Sequence, residues 1–135
     1  MAVSGCAGSS RTDADFRLKA ANTAETAASA VSTARIAVQA AGEGRVSGPY
    51  VSVLLGEAES DLLAAQSTFE SRQPPGASAD TVRERLGALL DEAADTLAEV
   101  RVEARRGEVR GLADHTGDLR ETVDRLEGLE EELSS

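Results

Sequence analysis

The chain has 135 residues, a usual length for one domain, and long enough to bury roughly two thirds of its unfolded surface without disulfide or metal staples. Hydrophobic residues make up 41% but aromatics only 2% (Phe16, Tyr50 and Phe69, with no Trp), so the core has to be aliphatic, built from Leu, Val and Ala. With 14 basic and 24 acidic residues the net charge is −10, which repels phosphate backbones and argues against nucleic-acid binding; the densest basic cluster, Arg101, Arg105, Arg106 and Arg110, is interrupted by Glu99, Glu103 and Glu108.

Residues 1–11 lack periodicity and are rich in Gly, Ala and Ser, the composition of a flexible tail ahead of a helical domain spanning 12–135. Thr12 or Asp13 can cap a first helix, and Asp15 adds negative charge to its first turn. From there to Ala41 the chain is dominated by Ala, the best helix former. Ala24, Ala28, Val31, Ala34, Val38 and Ala41 fall on one helical face, and Gly42 reads as the stop. A loop, "GEGRVSG", follows. Ser47 or Gly48 precedes Pro49, which suits the first turn of a second helix. That helix carries a seam of Val51, Leu55, Ala58, Leu62, Ala65 and Phe69, alternating steps of four and three.

Pro74 and Pro75 end it, since a helix cannot continue through them. Ser78 reads as the cap of a third helix whose apolar face is Val82, Leu86, Leu89, Ala93, Leu97, Val100 and Ala104. A fourth segment carries Val109, Leu112, Thr116, Leu119, Val123, Leu126 and Leu133. No long segment alternates with period two, so the fold class is all-α. Two architectures compete at the join of the last two segments. If Gly107 ends the third helix, an antiparallel up-down four-helix bundle results. If the helix runs on, the third and fourth segments form one rod whose leucine stripe needs another chain, giving a self-associating homodimer. The bundle is the favoured reading. Its Ala-rich first helix lets backbones approach closely and leaves little concave volume for a small-molecule site.

Few residues point to chemistry. His115 is the only histidine, with Asp114 and Asp118 near it in sequence. Carboxylate di-metal bundles use Glu-x-x-His pairs on two helices, whereas here Leu112 stands three residues before the single His. A solvated or capping histidine is therefore expected rather than a hydrolase or metal enzyme. Asp91, Asp95, Glu99 and Glu103 recur every four residues. They form either a solvated acidic face or an interaction stripe for a basic partner. There is no phosphate loop, glycine fingerprint or zinc-spaced Cys/His set. No enzyme activity, cofactor or metal is expected.

Val3-Ser4-Gly5-Cys6 resembles the bacterial lipobox, in which small residues precede a cysteine that becomes lipidated. The Ala, Gly and Ser that follow resemble a lipoprotein tether. Abundant Ala, Gly and Arg with a single lysine resembles the coding bias of a GC-rich, actinobacterial-type genome. The resemblance implies a bacterial lipoprotein, anchored by Cys6 at the extracytoplasmic face of the cell membrane. Such a precursor has a charged and then an apolar region before the box, where this sequence has only Met1 and Ala2, so the expected reading frame extends upstream. The alternative is a cytoplasmic helical interaction protein. In either case the expected role is a non-enzymatic binding or structural module that meets a protein partner and touches a membrane only through a lipid anchor.

Overall fold

The structure, a computed structural model, describes residues 12–135, so the expected tail and Cys6 lie outside the described residues. Its helices follow in the order α1 (Asp13–Gly42), α2 (Gly48–Glu70), α3 (Ala77–Arg105), a 3₁₀ helix (Arg110–His115) and α4 (Thr116–Ser134). The fold is an all-α bundle. Local chemistry sets most of its boundaries. The Thr12 hydroxyl accepts the Asp15 amide at 3.0 Å, and the Ser47 hydroxyl accepts the Tyr50 amide at 3.3 Å with Pro49 in the first turn.

The end of α1 differs from the expected one. Gly42 is still helical, and the reversal falls at Gly44, whose φ is 75°. The Gly44 amide donates to the Ala41 carbonyl at 3.0 Å and the Arg45 amide to that of Ala40 at 2.9 Å, which closes the last turn in a Schellman motif. The start of α3 differs too. Extended backbone after the two prolines reaches Gly76, so the helix begins before Ser78. The Ser78 hydroxyl instead donates to Asp13 at 3.0 Å and ties the N-termini of α1 and α3 together.

Gly107 settles the choice between bundle and rod. Its φ is 79°, its amide donates to the Ala104 carbonyl at 3.1 Å, and the Glu108 amide donates to Glu103 at 3.1 Å. This is a second Schellman reversal, so α3 stops there and the rod is excluded. The 3₁₀ helix then turns the chain back into α4. The leucines of α4 are buried within the same chain, chiefly against α1.

α1 and α3 run one way, α2 and α4 the other. At one end of the bundle the Phe16 and Phe69 rings meet with centroids 5.5 Å apart, tilted by 42°. At that end Arg17 also donates to the Glu132 carbonyl at 3.1 Å. α1 touches every other element, whereas α2 and α4 do not meet. The cross-section is therefore a rhombus with α1 and α3 on its short diagonal. Ten buried alanines of α1 make this possible, because small side chains let the axes approach on several sides at once.

Two seams shift by one residue from the expected pattern. In α2 the buried position is Gln66 rather than Ala65, and in α3 Leu90 is buried while Leu89 is only partly covered. In both helices a step of three and a step of four exchange order within one heptad, and the seam rejoins the expected positions at Phe69 and Ala93. Gln66 meets the requirement of burial by donating to Asp91 at 2.6 Å and to Glu70 at 3.2 Å. In the fourth segment Thr122 and Leu129 join the core, and Thr116 is only partly buried.

Candidate functional site

The last turns of α3 place Glu99 and Glu103 one turn apart on the same face. The Gly107 reversal sends the chain back over that end. Two contacts seat the 3₁₀ helix: Leu112 is fully buried, and Ala113 lies against the Cα of Gly42, where an added Cβ would overlap it. His115, at the end of this short helix, is thereby brought against α3. Its Nε2 lies 2.9 Å from Glu103 Oε2, with the two side chains 15% and 25% exposed. One ligand atom from each of Glu99, Glu103 and His115 lies within 4.8 Å of the other two. Glu99 makes no hydrogen bond or ion pair among the described residues. The Thr116 hydroxyl, one residue past His115, is buried without a hydrogen-bond partner.

This arrangement differs from the sequence expectation in two ways. His115 is neither solvated nor a side-chain cap: it stands at the N-cap of α4 without a side-chain capping bond and is held by Glu103. The carboxylates beside it come from α3, not from Asp114 and Asp118. Nothing in the local sequence around His115 signals this. The available signal is Gly107: once it is taken as a reversal, the residues that follow fold back over the end of α3.

The predicted stripe separates into distinct roles. Asp91 accepts from buried Gln66, and Glu103 contacts His115. Asp95 and Glu99 are exposed and unpaired among the described residues. The basic cluster is likewise partly used internally, since Arg101 pairs with Glu59 of α2 at 2.9 Å in a half-buried bridge.

Two further links span α3 and α4. Arg125 meets Glu92 at 2.9 Å and also Glu121, while Arg85 donates to both Glu132 oxygens at 3.0 and 2.8 Å. Hydrogen bonds from Arg85, and then its charge, hold the Glu132 carboxyl below the ordinary carboxylate range, and Arg17 adds to the effect. A depressed folded-state pKa contributes stability above the unfolded value and loses it as pH falls through the folded one. Glu132→Gln should therefore lower the melting temperature slightly at neutral pH. The difference from the parent should close as the solution is acidified, and should shrink in high salt. Thermal melts of both proteins across the acid range check this.

No protein-family model, curated protein or solved structure matches the chain. Among the described residues no helix is long and apolar enough to cross a membrane. The outer surface between α1 and α2 carries an open groove of about 580 Å³, lined by residues including Thr23, Thr26, Thr33, Ala58 and Ala65. The hydroxyls of Thr23, Thr26 and Thr33 already donate to carbonyls one turn back, at 2.9, 3.0 and 3.0 Å. Asn22, Glu57 and Asp61, which also line it, make no side-chain hydrogen bond or ion pair among the described residues.

Proposed function

We propose that the chain is a non-enzymatic binding or structural module: a helical bundle tethered by a lipid on Cys6 at the extracytoplasmic face of a bacterial membrane, presenting charged helix faces to a protein partner. One observation carries the surface-binding part of this reading. Among the described residues the bundle interior is almost wholly apolar: its two buried polar residues, Gln66 and Thr122, are both hydrogen-bonded inside the protein, and the Thr116 hydroxyl alone is a buried side-chain polar atom without a partner. Recognition then falls to the exterior, where Asp95 and Glu99 offer unpaired charge to a basic partner. The lipobox-like Val3-Ser4-Gly5-Cys6 supports the tether, and the Ala, Gly and Ser of residues 7–10 that follow it suit a spacer that gives the bundle reach. Multiple acyl chains on one residue would hold it stably, where a single chain gives only marginal attachment.

Metabolic labelling of the source bacterium with an alkyne fatty acid tests the tether. The expected result is a labelled chain that pellets with membranes, with both properties lost in Cys6→Ser. An unlabelled chain in the soluble fraction overturns it.

A further inference from the structure

We propose that Glu99, Glu103 and His115 form a site for a divalent transition-metal ion of the zinc class, which pins the 3₁₀ helix to the end of α3. This goes beyond the tethered-module reading and does not depend on it; with the ion bound, Glu99 is engaged and Asp95 alone of the two exposed carboxylates stays open to a basic partner.

The donor set is the first argument. One imidazole nitrogen with two carboxylate oxygens suits zinc and its neighbours, whereas magnesium and calcium favour all-oxygen shells. Geometry is the second. Tetrahedral bonds of about 2.0–2.2 Å place neighbouring ligand atoms about 3.4 Å apart. The 2.9 Å separation of His115 Nε2 and Glu103 Oε2 needs to open by only about half an ångström to admit an ion between them. The Glu99 carboxylate begins no more than 4.8 Å from these atoms, is exposed, and has no competing partner among the described residues. Rotation of that one side chain completes three protein ligands, and a water fills the fourth position.

Electrostatics points the same way. Glu99 and Glu103 are like charges one turn apart, with Asp95 a further turn along, and a cation relieves their repulsion. His115 balances only part of that charge even when protonated. Finally, the ligands come from two elements separated by a reversal, so an ion held by all three crosslinks the corner. It would favour the folded arrangement over a melted 3₁₀ helix, since an unfolded chain does not hold the set together.

The test is calorimetric titration of zinc chloride into the full chain carrying Cys6→Ser, which removes the tail thiol as a competing ligand. Glu99→Gln and His115→Ala are compared in the same background. The expected result is one ion per chain, affinity at least about tenfold weaker in Glu99→Gln, and no saturable binding in His115→Ala. Saturating zinc should also raise the melting temperature of the parent by about 5 °C or more, with no such rise from magnesium. Because Glu99 is exposed and makes no bond that folding requires, its variant stays informative even if His115→Ala weakens the fold. Absence of saturable zinc binding in the parent overturns the proposal. So does equal affinity in the parent and both variants, which would place the ion elsewhere on the acidic surface.

Discussion

Phe16→Ala should lower the free energy of unfolding by about 3–5 kcal/mol, a large share of the roughly 5–15 kcal/mol that holds a domain of this kind together. Phe16 is fully buried and meets Phe69 at 5.5 Å, the sole aromatic pair among the described residues. Ala79 and Val82 from the start of α3 and Leu133 from the end of α4 are buried at the same end. Removing the ring loses its transfer free energy and leaves a void. The void will not collapse easily from the α1 side, because the next buried positions on α1, Ala20 and Ala21, have no side-chain rotamers with which to fill it. Phe16→Leu retains most of the volume and should cost clearly less. Urea denaturation followed by far-UV circular dichroism measures both. A loss under about 1 kcal/mol for the alanine variant would mean that this end of the bundle is open to solvent.

The helical character of the chain was legible because Ala, Leu and Val return with helical spacing and two turn regions break the pattern firmly. The burial of α1 was legible only in part. Its expected face of Ala24, Ala28, Val31, Ala34, Val38 and Ala41 is buried, but so are Ala20, Ala21, Ala27, Ala30, Ala37 and Ala40. Alanine is tolerated in core and surface alike, so a sequence dense in it shows a stripe where the structure has a helix buried on several sides. Periodicity also fixed the seams only to within a residue. Gln66 illustrates the limit: a polar side chain enters the seam because Asp91 and Glu70 accept its hydrogen bonds, and although Glu70 lies one turn on in α2, nothing within α2 announces Asp91 on α3.

The polar cluster was less legible for a related reason. Glu103 and His115 each looked like an ordinary surface residue within its own segment. What joins them is the backbone reversal at Gly107, and a glycine in sequence reads equally as a reversal or as a tolerated interruption. The reversal is identified only by its hydrogen bonds to Ala104 and Glu103. Spacing rules work for ligand pairs on one helix and lose their force when the ligands sit on either side of a turn.

Gly42→Ala should destabilise the protein by about 1–2 kcal/mol, although in an isolated helix the same change is favourable by up to about 1 kcal/mol. The two effects compete, and the local packing decides between them. A Cβ on Gly42 overlaps the Cβ of Ala113 and comes within 3.4 Å of its Cα, so relief requires a backbone shift of the 3₁₀ helix rather than a rotamer change. Overpacking of that sort costs about 1–3 kcal/mol, more than the helix propensity returns. Ala113→Gly removes the obstructing methyl, so the double variant should recover most of the loss, a coupling that a double-mutant cycle in urea detects. If Gly42→Ala instead stabilises the chain, the 3₁₀ helix is not seated against α1. The displacement also reaches the polar corner, because Ala113 and His115 share one short helix that moves as a unit. Shifting it displaces the imidazole relative to Glu103 and Glu99, so Gly42→Ala should also change zinc affinity without altering any of the three ligands.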